Sequence, residues 1–338
     1  MLIYDLTHEE LVDFLLKNNQ KKFRADQIWN WLYKQKVSSF KEMANLTDDL
    51  VELLESNFKL QALKLVLQHT SNDGTLKCLY SLHDGHLIES VLIKQRYGNS
   101  VCVTTQVGCN IGCSFCASGQ LKKKRDLTAG EIIAQVIETE KILKERISYV
   151  VVMGIGEPFD NYEQLLKFLS TVNHPKGLAI GARHITVSTC GIVPKIREYA
   201  HTGLQVNLAI SLHAPNNEIR TKLMTINKKY PIEDIIDAIR YYIDITKRRV
   251  TIEYILINGL NDTEAVALEL VKLLRGLNVY VNLIPYNEVL EAPYKRSETK
   301  TMLAFYDVLM KNKIQVTLRK EQGHDINAAC GQLRSQHL

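Results

Sequence analysis

The sequence has few cysteines and no long apolar run. Seven cysteines among 338 residues are too few for a disulfide-rich fold. The longest apolar stretches, such as 149–153, have the length of a strand and fall far short of the roughly 18 residues that a membrane span needs. The first ten residues carry three acidic side chains and no apolar core, so we expect no secretory signal. These absences predict a cytoplasmic protein that makes no use of a membrane.

The rest of the composition is that of an ordinary globular chain. Hydrophobic residues make up 46% and charged residues 23%, which excludes a disordered or fibrous protein. At about 150 residues per domain, the length predicts roughly two domains. The net charge of +5 permits a polyanionic partner without requiring one.

The first part of the chain divides into two regions. Residues 1–60 have apolar positions at helical spacing, with a capping box at Thr7 and Glu10, and predict a helical accessory domain. Seven basic residues between 17 and 41 belong either to a solvated helical face or to a surface that contacts phosphates. In residues 61–94 the apolar period changes to two, and Asp73-Gly74 and Asp84-Gly85 are hairpin turn signals. We therefore expect a small β-meander there.

From residue 95 to 325, short buried strands alternate with helical runs. This alternation predicts an α/β fold with a parallel sheet. Six or seven such units are present, whereas a closed TIM barrel needs eight, so we predict a partial (β/α)6 barrel. In that architecture, ligands bind at the carboxyl ends of the strands. Residues 326–338 form a separate C-terminal segment.

The strongest chemical signal is the C-x3-C-x2-C run of Cys109, Cys113 and Cys116, which follows the first strand of the α/β region. Three thiolates can hold three irons of a cubane cluster and leave the fourth iron open for a ligand. The alternative is a structural zinc site that a distant histidine completes. A non-catalytic RNA-binding protein with a structural metal is the corresponding alternative for the function.

The cysteine run is the signature of the radical S-adenosylmethionine (SAM) superfamily. The turn Gly154-Ile-Gly156-Glu157-Pro158 resembles that superfamily's motif for the methionine amine. The stretches 101–109, 211–213 and 325–333 narrow the resemblance to the radical SAM adenine methyltransferases of ribosomal RNA, over nearly the whole chain. One departure is Thr225, where that family more often has proline.

Two sister groups of that family differ in the carbon that they methylate. Three stretches, 116–118, 156–158 and 319–323, favour the RlmN type, which methylates carbon 2 of adenine, over the Cfr type, which methylates carbon 8 and confers antibiotic resistance. The resemblance implies as substrates an adenine of 23S rRNA in the peptidyl transferase centre and adenine 37 of some tRNAs. A radical SAM enzyme that acts on a small molecule is a further alternative.

The resemblance also implies roles for individual residues. Cys330 would accept a methyl group from one SAM and carry it to the adenine. Cys102 would resolve the covalent RNA intermediate by forming a transient disulfide with Cys330. Glu89 would accept the ring proton. The implied SAM contacts are Gly156, Glu157, Ser188, Ser211, Leu212, His213 and Asn287.

The cofactors and partners follow from the same resemblance. The implied cofactors are one [4Fe-4S] cluster on Cys109, Cys113 and Cys116, and SAM, two molecules per turnover. The implied partners are 23S rRNA, tRNA and an external one-electron reductant. We expect the protein to act as a monomer.

Overall fold

The computed structural model describes residues 1–290 and 292–333. The helices of this part follow the predicted order. The capping box at Thr7 and Glu10 is confirmed at the start of the first helix. Among the described helices, none combines the length and apolar character that crossing a lipid bilayer requires. The α-helices are α1 His8–Lys17, α2 Phe23–Trp29, α3 Asp48–Asn57, α4 Ala129–Leu143, α5 Tyr162–Asn173, α6 Val193–Tyr199, α7 Asn217–Leu223, α8 Ile232–Thr246, α9 Glu264–Leu274 and α10 Thr299–Lys311.

Within the described residues, the strands form one large sheet of ten members and a separate two-stranded ribbon. In the large sheet the order is β1-β2-β3-β4-β7-β8-β9-β10-β11-β12, and β5 pairs with β6 in the ribbon. The strands are β1 Lys64–Thr70, β2 Leu76–Ser81, β3 Leu87–Gln95, β4 Gly98–Cys102, β5 Gln106–Val107, β6 Arg125–Asp126, β7 Ile147–Val152, β8 Ile185–Thr189, β9 Asn207–Ser211, β10 Val250–Leu256, β11 Val279–Pro285 and β12 Gln315–Leu318.

The pairing within the large sheet confirms the predicted partial barrel. Strands β1 to β4 are antiparallel neighbours, and Gly74 and Gly85 take positive φ angles in the two predicted hairpin turns. From β4 onward every neighbouring pair is parallel. Helices follow six of the parallel strands, which makes six β/α units, and β12 adds a seventh parallel strand.

One predicted strand is shorter than expected. The apolar pattern predicts a continuous strand over 101–106, whereas β4 ends at Cys102 and β5 begins only at Gln106. The chain leaves the sheet in between because other groups satisfy its backbone: the side chain of Gln135 accepts from Thr104 N–H and donates to Thr104 C=O. The cysteine loop therefore starts from a fixed anchor just beyond β4.

The N-terminal helices share one apolar core with the barrel helices. At this contact, the turn Ile3–Asp5 packs on the start of α4, where the backbone N–H of Gly130 donates to Asp5 Oδ1 at 3.0 Å. A Cβ on Gly130 would lie 2.7 Å from Asp5 Oδ1 and 2.9 Å from Asp5 N. The close approach of these two segments therefore requires glycine.

We predict that Gly130→Ala destabilises the protein. Alanine is the better helix former by about 1 kcal/mol, but overpacking against Asp5 costs about 1–3 kcal/mol, so the melting temperature should fall. The matched control is Gly181→Ala, where a Cβ meets nothing within 4 Å and φ is −58°. Thermal unfolding of both variants checks this. Equal melting temperatures for Gly130→Ala and the parent would contradict the tight contact.

Candidate active site

A cavity of about 1000 Å³, including its open mouth, lies at the carboxyl ends of the parallel strands. This is where the barrel architecture places ligands. The cavity brings together most of the residues that the sequence singles out. Those that line it are Cys109, Cys113, Cys116, Gly156, Glu157, Ser188, Ser211, His213, Asn287 and Cys330.

The cysteine loop is held in a compact fold by its own backbone and by two glycines. Cys109 N–H donates to Leu121 C=O at 2.8 Å. Gly108 has a φ of +76°, and a Cβ there would lie 2.4 Å from the carbonyl oxygen of Lys122. A Cβ on Gly119 would lie 2.5 Å from the carbonyl oxygen of Cys113. The loop can therefore fold back on itself only with glycine at these two places.

The three loop thiols are free and partly buried. Burial raises the pKa of Cys109 to about 12 and also raises the pKa values of Cys113 and Cys116. The charges of Cys109 and Cys116 raise the pKa of Cys113 further, because like charges repel. A metal centre would remove this penalty, because it binds the thiolate form and supplies positive charge. The donor set therefore fits a metal site.

The spacing of these thiols favours a cluster over zinc. Among the described residues, the three sulfurs do not all lie within 4.8 Å of one another. Four ligands around a single zinc, with Zn–S bonds of about 2.3 Å, bring the sulfurs to about 3.8 Å. A polynuclear iron–sulfur centre holds its thiolates further apart, so the residues present fit that group better.

The turn after β7 brings Gly156 and Glu157 to the cavity. Gly156 has a φ of +106°, and a Cβ there would lie 2.6 Å from Gln106 Cβ. The carboxylate of Glu157 accepts the backbone N–H groups of Phe159 at 2.9 Å and Cys190 at 2.7 Å. Burial raises the pKa of Glu157, and these hydrogen bonds oppose the rise. Glu157 therefore braces the turn as well as lining the cavity.

Ser188 and Ser211 end neighbouring strands, and their hydroxyl groups lie 3.2 Å apart. His213 follows with a φ of +60°, and its Nδ1 accepts the N–H of Ile255 at 3.1 Å. Burial lowers the pKa of His213 to about 3, so this imidazole is neutral at physiological pH. Leu212 does not line the cavity: its side chain is in the apolar core, and it can contribute only its backbone.

Asn287 provides a further polar group for a ligand. Its Nδ2 donates to the carbonyl oxygen of Cys330 at 3.1 Å. Its Oδ1 is buried and has no hydrogen-bond partner among the described residues. A buried acceptor of this kind is rare unless a ligand or water completes it. The site therefore has room and an acceptor for a ligand that donates a hydrogen bond.

Cys102 and Cys330 line a second cavity, which adjoins the first. Cys330 lines both cavities and so lies where they meet. Burial raises the pKa of Cys102 to about 12, and the neighbouring Cys330 raises it further. The guanidinium of Arg319 donates to Cys330 Sγ at 3.1 Å. The two cysteines that the resemblance pairs are thus neighbours across 228 residues of sequence.

Glu89 lies beside this second cavity but does not line it. It is two residues from Val91, the partner of Cys102 in the pairing of β3 with β4, so Glu89 and Cys102 share one face of the sheet. Its side chain is buried, and Oε1 lies 3.2 Å from Lys77 Nζ. The structure therefore places Glu89 on the same face of the sheet as Cys102, among buried residues.

Sequence reasoning missed several charged residues of this region. Arg319 lies in the stretch 319–323, for which the sequence predicts no role of any single residue. Its place directly after β12 is nevertheless the kind of position where a barrel binds ligands. Glu253 is a lone carboxylate within the apolar run of β10, and it lines the first cavity. Burial raises the pKa of Glu253, and Arg319 opposes the rise. A charge inside an apolar strand could have indicated it.

Comparisons with known proteins agree with this geometry. A profile of the radical SAM superfamily matches residues 103–271, and one of the ribosomal RNA large subunit methyltransferase N-terminal domain matches residues 2–60. A protein from Acholeplasma laidlawii, named probable dual-specificity RNA methyltransferase RlmN, is 66% identical over 100% of both chains. One of the same name from Enterococcus faecalis is 59% identical over 99% of this chain and 96% of its own.

A solved structure is similar over almost the entire chain. The crystal structure of a radical SAM methyltransferase from Sphaerobacter thermophilus has a TM-score of 0.96 and 43% sequence identity. The match covers 99% of this chain and 100% of that one.

We predict that Glu157→Gln weakens SAM binding. An amide offers only one acceptor atom, so one of the two backbone N–H groups loses its partner, at a cost of about 1.5–3 kcal/mol. We expect SAM affinity to fall about tenfold or more, as measured by calorimetry on reconstituted protein. The control is Glu163→Gln, an exposed carboxylate in the first turn of α5. Unchanged affinity in Glu157→Gln would show that the turn does not depend on this carboxylate.

Proposed function

The chain belongs to the RlmN family of radical SAM RNA methyltransferases, and on that premise we propose that it methylates carbon 2 of adenine. We propose as substrates an adenine of 23S rRNA in the peptidyl transferase centre and adenine 37 of some tRNAs. The observation that supports this most is the position of Cys330. It lies where the first cavity, which we propose as the SAM site, meets the second cavity, which Cys102 lines.

The proposed chemistry needs a covalent carrier because carbon 2 of adenine is an unactivated, electron-poor centre. When bound, the cluster and SAM would supply a 5′-deoxyadenosyl radical. Cys109, Cys113 and Cys116 would hold the cluster, and the residues at the strand ends would hold SAM. Cys330 would first take a methyl group from one SAM, which makes two SAM molecules per turnover.

The chain's own thiols would complete the reaction. Cys330 would tether the adenine through a methylene bridge. The adduct would then give up one electron, for which the metal centre held by the three cysteines of the loop would be the acceptor, and its ring proton, which Glu89 would accept. Cys102 would then attack the sulfur of Cys330: a disulfide forms, the carbon–sulfur bond breaks, and its electron pair goes to the carbon, which takes a proton. An external reductant would restore both thiols, and a monomer contains every residue that this scheme needs.

Lys122, Lys123, Lys124 and Arg125 form a basic run directly after the cysteine loop, and two of these four side chains are already paired. Lys123 pairs with Asp126 and Asp160, and Arg125 pairs with Asp84 and Glu131. Lys122 and Lys124 are exposed and form no ion pair within the part of the chain that the structure describes. We propose these two as phosphate contacts for RNA whose target base is unstacked into the site.

Nucleoside analysis tests the proposed function. The protein is reconstituted anaerobically and incubated with SAM, a reductant and transcripts of 23S rRNA or tRNA, and the digested RNA is analysed by mass spectrometry. We expect 2-methyladenosine from both transcripts. Product that is 8-methyladenosine would identify the Cfr-type activity instead. No methylated adenosine, with the cluster intact, would overturn the proposal.

We predict that Cys102→Ala traps the covalent intermediate. Without the resolving thiol the methylene bridge between Cys330 and RNA cannot break, so a protein–RNA species should accumulate and turnover should stop before one product per enzyme. Denaturing gel electrophoresis with labelled RNA measures the adduct.

The matched control is Cys78→Ala. Cys78 is also a buried cysteine of the sheet, but it lines neither cavity. This variant should turn over like the parent. Normal turnover by Cys102→Ala would show that Cys102 is not the resolving thiol.

A further inference from the structure

Arg220, on α7, is a buried cation that forms no ion pair with any residue that the structure describes. Its side chain has 0% exposure. Nη2 donates to the carbonyl oxygen of Cys190 at 2.6 Å, and Nη1 donates to Asn227 Oδ1 at 3.0 Å. Nε is buried and has no hydrogen-bond partner among the described residues. Over the same residues, no carboxylate lies within 4.0 Å of the guanidinium.

Such an arrangement is costly unless an anion completes it. Burial lowers the pKa of Arg220 to about 10, so the group still carries its charge at neutral pH. Removing an unpaired charge from water is strongly unfavourable, even after the protein relaxes. The neutral oxygens of Cys190 and Asn227 solvate the charge but do not cancel it. A negative group close to α7 would therefore stabilise the buried charge of Arg220.

The cysteine loop is the neighbour that can provide this group. The N–H of Ser114 donates to Leu223 C=O at 2.9 Å, one turn after Arg220. The hydroxyl of Thr225 donates to Ile111 C=O at 3.0 Å, a bond that a proline at this position could not form. These contacts fix α7 directly against the loop.

Two thiols, those of Cys113 and Cys190, lie in the region where α7 packs on the cysteine loop. Cys113 and Cys190 share a small apolar cluster with Leu223 and Met224. Arg220 contacts this cluster directly, because its Nη2 donates to the carbonyl oxygen of Cys190 at 2.6 Å, and Cys190 packs with Cys113. Of these two, Cys113 is a member of the C-x3-C-x2-C run.

We propose that Arg220 is the counter-charge of the iron–sulfur centre and raises its reduction potential. A cubane cluster on three thiolates carries a net negative charge, and reduction adds one more electron. A fixed cation in an apolar surrounding favours the more negative, reduced form. This proposal rests on the three-cysteine site of the proposed function. In this proposal Arg220 contacts neither the substrate nor SAM, and it acts only through the cluster.

The reduction potential of the cluster tests the proposal. Parent, Arg220→Lys and Arg220→Gln are reconstituted without SAM or RNA, and the midpoint potential is determined by redox titration with detection of the reduced cluster by electron paramagnetic resonance. Arg220→Lys keeps the charge and should stay near the parent. In Arg220→Gln we expect the ratio of reduced to oxidised cluster at a fixed potential to fall about tenfold, a negative shift of about 59 mV for one electron.

Lys222→Gln is the matched control. It removes one positive charge from the same helix, but the Lys222 side chain is 56% exposed and pairs with Glu218. Solvent screens such a charge, so the potential should not move. Equal potentials for Arg220→Gln and the parent would overturn the proposal, and so would an equal shift in Arg220→Lys and Arg220→Gln.

Thermal stability gives a second readout, independent of the potential. Without the cluster, Arg220 lacks its counter-ion, so Arg220→Gln should cost little in metal-free protein and more in loaded protein. Equal losses in both forms, or a metal-free Arg220→Gln protein that does not fold, would assign Arg220 a purely structural role. If the parent itself assembles no cluster, the three-cysteine site fails and the proposed function fails with it.

Discussion

The docking of the C-terminal segment onto the cysteine loop is the contact on which the rest of the site depends. Ala117 N–H donates to Gly331 C=O at 2.8 Å, and the hydroxyl of Ser118 donates to Leu333 C=O at 2.7 Å. Both bonds lie next to a cysteine, Cys116 on one side and Cys330 on the other. They place Cys330 beside the cysteine loop while leaving its side chain where the two cavities meet.

The β-meander holds the other side of this segment. The carboxylate of Asp325 accepts the hydroxyl of Ser71 at 2.5 Å and the N–H of Asn72 at 3.1 Å, and Gly323 N–H donates to Asp73 Oδ2 at 2.8 Å. The hairpin turn that Asp73-Gly74 signals is therefore more than a connection between β1 and β2. Its hydrogen bonds fix the segment that carries Cys330, so the β-meander contributes to the position of this cysteine.

The sequence predicts those parts that depend on local spacing. The cysteine run, the strand–helix alternation and the hairpin turns each follow from residues within a few positions of one another, and the fold confirms the partial barrel. The burial of Glu89 beside Lys77, the bond of Arg319 to Cys330 and the isolation of Arg220 depend on residues far apart in the chain. Spacing contains no information on how deeply such a side chain is buried or which charge faces it.

These distant charges share one electrostatic logic. The site gathers free thiols at a buried strand-end surface, where burial raises the pKa of Cys102, Cys109 and Cys113. Left alone, such a site would keep its sulfurs protonated and unreactive. Two cations act against this: Arg319 opposes the rise in the pKa of Cys102, and Arg220 opposes the rise in the pKa of Cys113. Because Arg220 is fully buried and Arg319 is half-buried, each is stabilised most when a sulfur near it carries negative charge. The protonation state of the thiols and the stability of the metal-free site are therefore coupled. The buried positive charges are fully compensated only when the loop thiols lose their protons and bind a metal centre.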